Sequence, residues 1–219
     1  MDVSANVDAV RRRIRDAGGE ERVRLVAVTK GFGAGAVDAV ARAGVTDIGE
    51  SYAQELLAKA PEVTATGLRW HFVGRIQTNK VRALAPIIDM WQSVDRPAAG
   101  DEIARRAPIA TVLVQVNVTE EAQKGGCRPD ETAALVQRLR MAGLDVAGLM
   151  AVGRVGPSEI VRPGFRLLSQ LADDLDLRER SMGMTDDLEV AVEEGSTMVR
   201  VGRALFGERP RREPADVPN

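Results

Sequence analysis

Eight times along this chain, a short run of β-forming residues gives way to a stretch whose apolar residues recur at helical spacing. The β-rich runs are Arg24–Thr29, Asp47–Glu50, Trp70–Val73, Met90–Val94, Thr111–Asn117, Val146–Val152, Ser181–Met184 and Met198–Val201. Between them, Val37 with Val40, Val81 with Leu84, and Phe165 with Leu168 and Leu171 mark helices by their three-residue steps. Regular strand–helix alternation predicts parallel βα units, and eight is the number that closes a TIM-type barrel. A doubly wound open sheet is the alternative, but neither a ninth strand nor a second β-rich region is found. Val3, Val7, Val10 and Ile14 form one apolar stripe ahead of the first strand, and Gly18 and Gly19 end it. The fold class expected is α/β, a single (β/α)8 barrel with an extra N-terminal helix, over residues 1–207. Residues 208–219 are charged and proline-rich and are expected to form a mobile tail.

The bulk numbers narrow the function. A chain of 219 residues with 44% hydrophobic and 28% charged residues can bury a full core. Its formal charge of −2 provides no global basic field for nucleic acid or acidic lipid. With 3% aromatics it also lacks stacking platforms for single strands. No long apolar run or signal-like core is present, so a cytoplasmic protein without membrane attachment is expected. One cysteine, Cys127, excludes an internal disulfide, and one cysteine with one histidine argues against zinc.

Chemistry in such a barrel sits at the C-terminal ends of the strands. Of only four lysines (Lys30, Lys59, Lys80 and Lys124), Lys30 alone ends a strand. A lysine aimed into a barrel mouth can lose its proton and attack an aldehyde to form an imine; the plainer alternative is a rim lysine paired with a carboxylate. Loops after strands seven and eight commonly hold a phosphate in this fold. There Thr185 is placed as a helix N-cap, and Gly202 lets the backbone approach an anion, with a short extra helix opening at Arg203. Alternation turns Met198 and Arg200 into the barrel and Val199 and Val201 toward the helices. A guanidinium inside the barrel needs partners, and Glu50 is a candidate for an internal ion pair. His71 lies within strand three and is either a packing residue or a base. Lys124 is read as a solvated loop lysine, with a second anion site as the alternative. Together, Lys30, Thr185 and Gly202 describe one ligand carrying both an aldehyde and a phosphate.

These residues fall in stretches that resemble the pyridoxal phosphate homeostasis (YggS/PROSC) family. The matching stretches are Ala27–Lys30, Ile48–Glu50, His71–Gly74, Gln77–Lys80 and Gly148–Ala151. The most specific are Ser181–Glu189 and Gly195–Gly207. The resemblance covers residues 3–209 and implies a fold-type-III barrel like the N-terminal domain of alanine racemase, binding pyridoxal 5′-phosphate (PLP). It implies an internal Schiff base on Lys30, Arg200 facing the pyridine nitrogen, a phosphate site at Thr185, Gly202 and Arg203, and Met184 beside the ring. His71 is included among the cofactor-binding positions. The chain departs from the family at Ser51, where asparagine is common, so a contact to the ring's 3-oxygen side is weakened or carried by water. Thr185 replaces a frequent serine and keeps the hydroxyl.

An arginine opposite the pyridine nitrogen cannot accept a proton from it, which leaves the ring a poor electron sink. Racemisation would need a second base opposite Lys30, and the residues at hand are His71 and the one tyrosine, Tyr52, beside the end of strand two. The reading favoured is therefore a monomeric PLP carrier serving vitamin B6 homeostasis, with PLP-accepting apo-enzymes as partners. A one-domain racemase or lyase, and a phosphate-binding barrel that forms no imine, are the alternatives.

Overall fold

The computed structural model describes residues 2–19, 22–121 and 123–208. Among these, eight parallel strands close a barrel in chain order: β1 (Arg24–Val28), β2 (Asp47–Glu50), β3 (Arg69–Phe72), β4 (Met90–Val94), β5 (Thr111–Gln115), β6 (Asp145–Met150), β7 (Glu179–Ser181) and β8 (Met198–Val201). β8 returns to β1, with Val26 opposite Arg200. Helices α2 (Ala34–Arg42), α3 (Ala53–Lys59), α4 (Thr78–Leu84), α5 (Pro97–Arg106), α6 (Thr132–Met141), α7 (Ser158–Asp174) and α8 (Leu188–Glu193) fill the seven connections. The short α9 (Arg203–Phe206) follows β8. The extra helix α1 (Val3–Asp16) buries Val7, Val10 and Ile14 and packs on α2, α8 and α9. The proposed tail lies outside the described residues apart from Glu208.

Two apolar layers hold this arrangement. Val199 and Val201 join the large layer between the strands and helices, where Trp91, Phe165 and Leu168 are also buried. Inside the barrel a smaller cluster of Val26, Met90, Leu113, Ala147, Met150 and Met198 fills the lower interior. β8 therefore alternates as its sequence predicts.

Three strands end two or more residues earlier than the sequence pattern indicates. β5 stops at Gln115 because Val116 and Asn117 turn to pair with Cys127. β6 stops at Met150 rather than Val152. β7 runs over Glu179–Ser181, not Ser181–Met184. Gly183 adopts φ +94°, which breaks the extended backbone, while its carbonyl still accepts the Arg200 N–H at 2.9 Å. The segment after β7 thus stays tied to β8 while bending over the barrel mouth.

Candidate functional site

A cavity of about 540 Å³ opens at the C-terminal ends of the strands. This is the size of small-molecule pockets. It is lined by Lys30, Ser51, Met184, Thr185, Arg200, Gly202 and Arg203, with apolar walls from Val28, Val73, Met150 and Val152. Seven of the eight expected site residues meet in one place.

Lys30 lies two residues beyond the end of β1. Thr29 keeps the ladder going, its N–H donating to Gly49 at 3.1 Å. The Phe32 N–H then returns to the Thr29 carbonyl at 3.0 Å, closing a turn that carries Lys30 at its second position. The primary amine is thereby set on a turn at the rim of the cavity rather than on a long loop.

Arg200 is buried inside the barrel. Its Nη1 donates to the Ser181 carbonyl and hydroxyl, both at 2.7 Å, and Nη2 donates to the Ala151 carbonyl at 2.8 Å. Burial lowers its pKa to about 10, with Asp187 pulling the other way, so it stays charged at neutral pH. The expected pairing with Glu50 is not made. Glu50 faces the helix layer, where it accepts from Thr29 Oγ1 at 2.5 Å and pairs with Lys59. The reason is the register of β2: Asp47 and Gly49 share one face, and Ile48 and Glu50 share the other.

A chain of hydrogen bonds continues from Arg200 through the barrel. With its oxygen already accepting from Arg200, the Ser181 hydroxyl donates to Gln92 Oε1 at 2.6 Å. The Gln92 amide nitrogen meets His71 Nδ1 at 2.7 Å, and His71 Nε2 meets Asp47 Oδ1 at 2.8 Å. Burial pushes the Asp47 carboxyl up, but hydrogen bonds from His71 and Arg69 outweigh it and hold the group below its ordinary value. His71 is thus a link in this chain. It does not line the cavity, and both ring nitrogens are engaged.

In the turns after β7 and β8, Thr185 does not cap α8; Asp187 holds that position. The Thr185 hydroxyl instead accepts the Ala204 N–H at 3.2 Å, tying the loop after β7 to the turn after β8. Asp187 Oδ1 accepts the Met184 N–H at 2.5 Å, which fixes the backbone of that loop. A Cβ at Gly202 would lie 3.1 Å from the Val28 carbonyl, so the turn packs closely against the end of β1. Arg203 pairs with Asp186 at the surface. Lys124 is not a solvated lysine: it donates to the Gly153 carbonyl at 2.7 Å and pairs with Glu121 at 2.5 Å.

Sequence reasoning passed over Lys59, Gln92 and Ser181. Gln92 and Ser181 carried a usable signal, as inward-facing polar positions on strands whose neighbouring turns hold the site. Lys59 carried a weaker one, as one of only four lysines in an arginine-rich chain.

The profile of the alanine racemase N-terminal domain matches residues 2–210. A pyridoxal phosphate homeostasis protein from Pseudomonas aeruginosa is 39% identical, covering 97% of this chain and 98% of that one. This chain belongs to the pyridoxal phosphate homeostasis family. A solved structure from Bifidobacterium adolescentis has a TM-score of 0.86 at 34% identity, covering 94% of each chain. The structure of PipY from Synechococcus elongatus with PLP bound has a TM-score of 0.78 at 29% identity, covering 90% of this chain and 100% of that one. Among the described residues, no helix is long and apolar enough to cross a membrane.

Proposed function

We propose that this protein binds PLP as a Schiff base on Lys30 and holds it for vitamin B6 homeostasis without turnover of its own. The observation that carries the reading is the meeting of one primary amine, one buried guanidinium and two hydroxyls in a single apolar-walled cavity. PLP supplies an aldehyde that a primary amine takes up. The donor set fits the rest of the molecule. Thr185, Gly202 and Arg203 would hold the phosphate at one rim. Arg200 would face the pyridine nitrogen, Ser51 the 3-oxygen side and Met184 the ring.

The surroundings of Arg200 favour holding over turnover. Its partners are two carbonyls and a hydroxyl, so the positive charge is not cancelled and cannot accept a proton from the ring. The two candidates for a second base are poorly placed: His71 lies below the cavity, and Tyr52 is half exposed and lines a neighbouring groove. In this reading residues 1–207 form the binding domain, and the protein works as a cytoplasmic monomer that passes PLP to apo-enzymes.

Titration of the apo protein with PLP tests the binding. Wild type gains a visible absorbance band, and Lys30→Ala does not. Deuterium incorporation into alanine tests turnover. The expected rate is no higher than with free PLP. A rate far above it that disappears in Lys30→Ala makes the protein a one-domain PLP enzyme.

A further inference from the structure

On the outer face of the sheet, directly behind Lys30, three charged side chains form a cluster that the cavity does not use. Lys59 is 4% exposed and Glu50 fully buried. The Lys59 ammonium pairs with Glu50, and with Glu55 at 3.1 Å. It also donates to the Thr29 carbonyl at 2.8 Å. Glu50 accepts from the Thr29 hydroxyl, and Glu55 accepts the Gly31 N–H. The Thr29 carbonyl and the Gly31 N–H belong to the two peptide groups that flank Lys30. One cluster therefore holds the backbone on both sides of that lysine.

Stability alone does not account for this arrangement. A buried ion pair is often no better than apolar side chains of the same volume. Here the network is also incomplete, because Glu50 Oε2 and Glu55 Oε2 are buried without a hydrogen-bond partner. Burial raises the pKa of Glu50, against the pull of Lys59 and Thr29. A cost of that kind is retained where it fixes a functional geometry.

We propose that Lys59, Glu50 and Glu55 are positioning residues for Lys30, clamping its two peptide groups so that its amine is presented to the PLP aldehyde at a fixed place. The proposal rests on the Lys30 reading above. It predicts that the cluster governs PLP retention independently of overall stability.

Two variants separate the roles. Glu50→Leu/Lys59→Met replaces the pair by apolar side chains and should leave the apo melting temperature unchanged or raised. Glu55→Ala removes the acceptor for the Gly31 N–H at a side chain that is only partly buried. In the apo protein, amide exchange at Gly31 should quicken about tenfold in Glu55→Ala, the effect of losing one charge-assisted hydrogen bond. In both variants PLP should dissociate about tenfold faster, with altered circular dichroism of the visible band, and Glu55→Gln, which keeps an acceptor, should restore most of the loss. Dissociation within twofold of wild type in both variants overturns the clamp. Borohydride mapping of PLP-loaded wild type separates the two readings: label on Lys30 with unaffected variants removes the clamp alone, and label elsewhere removes both.

Discussion

Two buried cations stand on opposite faces of the same sheet, and they are treated in opposite ways. Lys59, outside the barrel, meets two carboxylates. Arg200, inside it, meets two backbone carbonyls and a hydroxyl. The carboxylates cancel the charge of Lys59, so what remains is a mechanical tie between α3 and the end of β1. Neutral acceptors orient Arg200 and leave its charge directed at the cavity. A buried cation's role therefore follows from whether its partners cancel its charge.

The comparison can be broken by mutation. Lys59→Met leaves two carboxylates without their cation, one of them fully buried, and should lower the unfolding free energy by about 3–5 kcal/mol in urea denaturation. Arg200→Met leaves neutral acceptors, and loss of about 2 kcal/mol is expected from the same measurement. If Arg200→Met is the more damaging, charge cancellation does not distinguish the two sites.

A smaller effect sharpens the account of the barrel interior. The Asp47 carboxyl is held below its ordinary value in the folded protein. Its contribution is therefore present above about pH 4, the unfolded value, and lost as pH falls through the lower folded value. Asp47→Asn should flatten the acid limb of a stability–pH profile by about 1 kcal/mol. An unchanged acid limb shows that the hydrogen-bond chain ending at Asp47 carries no stabilising charge.

Much of the fold is legible in the amino-acid sequence. Eight β-rich runs with helical spacing between them specify the closed parallel barrel, and the alternation of Met198, Val199, Arg200 and Val201 places Arg200 inside. The same reasoning failed at β2. All four residues from Asp47 to Glu50 are buried, because strands of a parallel barrel are covered on both faces. Polarity then no longer marks the inner face, and Glu50 could be assigned to Arg200 when it belongs to Lys59. Strand seven was misplaced for a different reason: Ser181, Met182 and Met184 read as strand, and Gly183 at φ +94° ends it. His71 looked like a reactive group because the sequence does not show that Gln92 and Asp47 occupy both its nitrogens.

The central claim is that Lys30 is the residue that takes up PLP. Borohydride reduction of the PLP-loaded protein, followed by peptide mapping, tests it most directly. The account predicts a pyridoxyl group on the peptide containing Lys30 and on no other lysine. A pyridoxyl group on Lys80 or Lys124 with Lys30 unmodified would contradict it.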